Sequence, residues 1–156
     1  MGPMRCRAAL AVSLALALGA CGKTAPPMPR TCTDTDQEGY ERALARAPGP
    51  VALPGGTLIS TCLRRVRNDA ELQDLGAVVH AVAEDLAARA RDGGDARAAL
   101  QLGFLSAAVS RGAARSKGIA SELGRRVETA GSGVRERSPA VARALDAGLL
   151  AGAARG

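Results

Sequence analysis

His80 is the only histidine in the chain, and Glu84 follows it by four residues. On a helix that spacing brings the two side chains together. The chemistry it suggests is a general base oriented by a carboxylate, with Asp74 as a further acid one and a half turns earlier. Such a base needs a nucleophile or a substrate beside it, and no serine lies in a strand-to-helix nucleophile motif. A metal would need more nitrogen, sulfur or carboxylate ligands than one histidine and its neighbours supply. Neither glycine cluster, Gly93-Gly94-Asp95 or Gly131-Ser132-Gly133, has the lysine and hydroxyl of a phosphate-cradling loop. Both read as helix punctuation. Gln101, set in an apolar run, reads as a buried polar contact or as a residue facing a gap between helices. These residues predict no catalytic, cofactor or metal site. The reading that competes is a hydrolase built on His80 and Glu84.

The four cysteines, Cys6, Cys21, Cys32 and Cys62, are the other reactive groups, and the first two belong to the opening segment. Met1 to Arg7 carries Arg5 and Arg7 and no acid, and Ala8 to Ala20 carries no charge. A helix of that uncharged length rises roughly 20 Å, short of the roughly 30 Å core of a bilayer. A basic start, a short apolar middle and small residues at the end are the layout of a secretory signal peptide. The run closes on Leu18-Gly19-Ala20-Cys21: an aliphatic residue, two small residues and a cysteine.

That ending resembles the lipobox of bacterial lipoproteins, a resemblance covering only the first twenty-one residues. It implies cleavage between Ala20 and Cys21, with diacylglycerol on the Cys21 sulfur and an extracytoplasmic location at a bacterial membrane. One acyl chain binds marginally and two or three bind durably, so Cys21 would be a lasting anchor. In that setting Cys6 is discarded and Cys21 is lipidated, leaving Cys32 and Cys62 as an even pair in an oxidising compartment. The expected outcome is a Cys32–Cys62 disulfide. Free thiols or thiol metal ligands are the alternatives, the second again short of ligands.

The mature chain would have about 136 residues, enough for one domain. Of 21 Lys and Arg against 15 Asp and Glu, the signal removes Arg5 and Arg7 and no acid, which leaves nineteen basic and fifteen acidic groups. That surplus can attract anionic lipid or an acidic polymer. One Tyr, one Phe and no Trp leave little to stack on bases, so nucleic acid is not an expected partner. The preference for Arg over Lys, with abundant Ala and Gly, matches a GC-rich genome and carries no functional weight.

The elements that would position these groups are helices. Residues 21–31 hold the lipidated cysteine and a proline-rich tether, residues 32–152 a helical domain, and residues 153–156 a frayed end. Thr35 with Glu38 fits a capping box for a helix from Asp36 to Ala47, stopped by Pro48. Prolines and glycines make 48–56 a loop, followed by a short helical segment, Ser60 to Val66, that carries Cys62.

Asn68 with Glu71 caps a long helix, Asp69 to Arg91. Its apolar stripe is Leu72, Leu75, Val79, Val82 and Leu86, and His80 flanks that stripe. Asp95 caps the next helix, to Ser110, which is apolar nearly all round and therefore central. The very short turn between them makes the two helices antiparallel neighbours. Ile119, Leu123 and Val127 step by four along another helix that ends at Gly131. Ser138-Pro139 starts the last, with Val141, Leu145 and Leu149 stepping by four. The predicted fold is all-α, a small bundle of four to five helices poor in aromatics, relying on close backbones and a disulfide.

The sequence thus points to a lipid-anchored envelope protein that binds or scaffolds without catalysis. Its partners would be the membrane through Cys21 and an envelope protein, an anionic lipid or a cell-wall polymer.

Overall fold

The computed structural model describes residues 26–116, 118 and 120–156. The signal segment, Cys6, Cys21 and Ile119 lie outside the described residues. Seven α-helices follow in order: α1 (Thr31–Asp34), α2 (Gln37–Leu44), α3 (Ile59–Arg65), α4 (Asp69–Arg91), α5 (Ala96–Ala113), α6 (Ser121–Ala130) and α7 (Pro139–Arg155). Short 3₁₀ turns occupy Pro54–Gly56 and Arg135–Arg137. No strand occurs among the described residues. The all-helical expectation holds; the short segment expected at Ser60 to Val66 forms α3, and α1 is a further short helix at the edge of the expected tether, so the number exceeds the four or five expected.

The long helix α4 has the predicted bounds because its ends are chemically marked. Asn68 Oδ1 accepts from the Glu71 amide at 2.9 Å, and the Glu71 carboxylate reaches back to accept from the Arg67 amide at 2.8 Å. Leu75, Val79, Val82 and Leu86 are buried as the stripe requires. At the start of α5, Asp95 Oδ1 accepts from the amides of Arg97 and Ala98. Ser138 Oγ likewise accepts from Val141 at the start of α7, where Pro139 fills the first helical position.

The first capping signal falls one residue later than read from the sequence. Asp36, not Thr35, caps α2, accepting from the Gly39 amide at 2.9 Å. Thr35 instead donates to the Thr31 carbonyl at 2.6 Å, closing α1. α2 stops at Leu44, and Ala45 to Pro48 continue as turns. α1 also begins inside the expected tether, and Met28 ahead of it packs on the core.

α5 is the centre of the bundle. It packs on α2, α3, α4, α6 and α7, with Leu102, Phe104, Leu105 and Val109 essentially inaccessible. Its tightest neighbour is α7, which runs parallel to it. A Cβ on Gly148 would meet the Leu100 carbonyl, one on Gly152 the Phe104 carbonyl, and one on Gly156 the Ala108 side chain. The register advances by four on both helices. Gly103 on α5 meets the Leu145 carbonyl from the opposite side. With few large side chains to fill a core, the backbones themselves come into contact, maximising dispersion between close-packed atoms.

This seam also corrects the expected frayed end at 153–156. α7 continues to Arg155, Gly152 and Gly156 are buried, and Ser60 Oγ on α3 donates to the Gly156 carbonyl at 2.6 Å.

Candidate functional site

The cysteine pair is joined as expected. Cys32 on α1 and Cys62 on α3 form a disulfide with an S–S distance of 2.09 Å and a Cα–Cα distance of 5.6 Å. Both are inaccessible to solvent. Tyr40, buried on α2, donates its hydroxyl to the Cys32 carbonyl at 2.8 Å. Burial pushes its phenol well above the ordinary tyrosine range.

His80 and Glu84 do meet on the surface of α4, with Nε2 and Oε1 3.8 Å apart and both side chains about half exposed. Nδ1 is enclosed by protein and has no hydrogen-bond partner among the described residues. Asp74, at an exposed position on α4, makes no ion pair or side-chain hydrogen bond with either residue. His80 does border a shallow groove of about 470 Å³ between α4 and α6, with Asp69 and Gln73 on one wall and Glu122 and Arg126 on the other. Glu122 is engaged by Arg125 at 2.7 Å and by Arg126 at 3.0 Å, and these two guanidinium groups hold its carboxyl below the usual range.

Gln101 is buried on α5 but borders neither this groove nor the larger one described next, so its polar side chain marks no ligand cavity. Among the described residues, no group of three or more His, Cys, Asp or Glu is placed to hold a metal.

A larger groove of about 650 Å³ opens between α5, α6 and α7, within the range of small-molecule sites. Leu102, Val127, Leu145, Leu149 and Leu150 supply its walls. Leu150 is 75 % exposed, one of two large apolar side chains left in solvent among the described residues. The α5 wall grades in polarity, while the α7 wall is apolar along its length and α6 contributes one charged residue beside Val127. At one end Leu102 faces Gly131, the residue that ends α6, with Leu145 of α7 beside Gly103. At the other end lie Ser110 and Arg111 of α5, Glu128 of α6 and Ala153 of α7. Arg111 Nη1 donates to the Ala153 carbonyl at 3.1 Å, and Ser110 Oγ donates to Glu128 Oε1 at 3.4 Å.

Sequence reasoning placed Leu145 and Leu149 on one stripe and missed the groove, because its walls depend on how three consecutive helices pack, which their separate stripes do not fix. The available signal was Leu149-Leu150, two adjacent leucines on a helix whose other face is glycine.

No family model matches the chain, and neither a curated protein nor a solved structure matches it.

Proposed function

We propose that the protein is a lipid-anchored extracytoplasmic binding module, held to a bacterial membrane through Cys21, whose working surface is the apolar groove between α5, α6 and α7. The groove carries this reading. An open apolar trough bordered by Leu149 and Leu150 leaves apolar surface in water that an apolar ligand would cover. The lipobox-like Leu18-Gly19-Ala20-Cys21 supports the anchor, and the Cys32–Cys62 disulfide suits an oxidising compartment. The alternative, an envelope hydrolase using His80 with Glu84, has the groove beside His80 in its favour, but the Glu122 carboxylate there is already engaged by Arg125 and Arg126.

Two measurements test the reading. For the anchor, intact mass and membrane partition of the exported protein are compared with Cys21→Ser. Wild type carries diacylglycerol and sediments with membranes, and the variant does neither; equal partition and equal mass chemistry would reject it. For the groove, the folded full chain is titrated with the neutral dye Nile red. Wild type takes up the dye and Leu150→Asp does so far less. A folded wild-type protein that ignores the dye, or a variant that binds it equally, removes the groove from the proposal.

A further inference from the structure

We infer that the occupant of the α5–α6–α7 groove is a single-chain lipid with a zwitterionic head, its chain toward Leu102 and its head between Arg111 and Glu128; this rests on the groove being a ligand site. The first support is the polarity gradient. From Leu102 to Arg111 the α5 wall runs about 13 Å. It passes from an inaccessible leucine through Ser106 and Ala107 to Ser110 and Arg111. Glu128 of α6 stands beside Ser110 at the polar end. α7 lines the groove with the apolar side chains of Leu145, Leu149, Leu150 and Ala153, and offers the Ala153 carbonyl to Arg111 at the polar end. An amphiphile has this gradient, whereas a wholly apolar ligand has none.

The second support is charge. Arg111 and Glu128 are the two charged residues that line the groove among the described residues. Among the described residues neither forms an ion pair, with the other or with any third group. Arg111 spends one N–H on a carbonyl and keeps other donors free. Glu128 takes one long bond from a hydroxyl and keeps acceptor capacity. A purely anionic head would satisfy Arg111 and be repelled by Glu128. A head with a phosphate and an ammonium group complements both.

The test is calorimetric titration of the full chain, below the critical micelle concentrations, with three ligands of equal chain: lauroyl lysophosphatidylethanolamine, laurate and lauryl alcohol. The lysolipid should bind about tenfold or more tighter than either of the others, the increment expected of hydrogen bonds to charged groups. Arg111→Gln and Glu128→Gln should each erase that preference while leaving alcohol binding unchanged. Glu128→Gln serves even if loss of the Ala153 contact unsettles Arg111→Gln. Equal binding of lysolipid and alcohol, or tighter binding of laurate, overturns the zwitterionic head but leaves the groove as an apolar site. No binding of any of the three by folded protein overturns both. A concentration-dependent dimer abolished by Leu150→Asp would also overturn the inference, assigning the groove to a second copy of the chain.

Discussion

Gly148 of α7 rests directly on the Leu100 carbonyl of α5, leaving no room for a side chain between the two backbones. A Cβ at this position would also press on the Phe104 amide nitrogen at 2.9 Å, and neither neighbour is a flexible group that can move aside. Gly148→Ala should therefore destabilise by about 1–3 kcal/mol or more, the usual cost of overpacking a rigid site. Gly76 of α4 is the control. A Cβ there would meet the Leu123 side chain at 3.8 Å, an ordinary contact. Gly76→Ala should be neutral or stabilise by up to about 1 kcal/mol through helix propensity. Urea melts of the two variants check the contrast, and equal effects would refute the seam.

The two glycines also show where the sequence was readable. Helix α4 was legible end to end, because Asn68, Glu71 and a regular apolar stripe mark it locally, and its bounds coincide with those expected. Asp95, Ser138 and Pro139 marked their helices for the same reason. The α5–α7 seam was not legible. Gly148, Gly152 and Gly156 recur every four residues, but glycine in a helix reads locally only as weakness. Its worth here comes from a partner helix some fifty residues away. The misplaced cap at Thr35 arose from two adjacent residues that can both cap, with α1 taking the threonine. His80 and Glu84 were placed correctly next to each other, and that proximity follows from helical spacing alone.

Three carboxylates are held below their ordinary range by arginine partners: Glu71 by Arg67, Glu122 by Arg125 and Arg126, and Asp146 by Arg135. A lowered folded-state pKa contributes stability that is present above the unfolded value and lost as pH falls through the folded one. The Asp146–Arg135 pair is bidentate, at 2.6 and 2.9 Å, yet both side chains are half exposed, so its effect is small. Thermal melts should show wild type slightly above Asp146→Asn at neutral pH. The two curves should converge as pH falls below the ordinary aspartate value of 3.8. A gap that persists undiminished in acid would contradict an electrostatic origin.

Tyr40 behaves with the opposite sign. Its phenol is pushed above its ordinary value of 10.0 by burial, so the stability it contributes is present below that pH. It is lost as pH rises from there toward the folded value. The chain has no other tyrosine, which makes ultraviolet titration specific. Native protein should show no phenolate signal near pH 10 where the unfolded chain does, and phenolate should appear together with alkaline unfolding. Tyr40→Phe leaves the Cys32 carbonyl without this donor and should cost about 1–2 kcal/mol at neutral pH. A normal tyrosine titration in folded protein would reject the buried placement.

The disulfide carries the heaviest structural consequence at the amino-terminal side. α1 has four residues, too few to persist as an independent helix. Beside its packing on α4, three covalent or hydrogen-bonded attachments hold it in place. They are the Cys32–Cys62 bond, the Tyr40 hydroxyl on the Cys32 carbonyl, and the Thr31 hydroxyl on the Pro54 carbonyl at 3.2 Å. The bond closes a loop with a sequence separation of 30 residues. The chain-entropy model assigns a loop of that length about 3–4 kcal/mol. Reduction removes the strongest of the three attachments and leaves two hydrogen bonds, each worth about 1 kcal/mol net. Both cysteines belong to the one buried core, but neither lies on α5 or α7, whose seam is its centre. Reduced protein should therefore stay helical, lose about 3–4 kcal/mol in urea melts, and release α1 first. Hydrogen exchange read peptide by peptide should show protection lost over 30–36 while α4, α5 and α7 keep theirs. Uniform loss of protection across all helices, or an unchanged melt after complete reduction, would contradict this division of the fold.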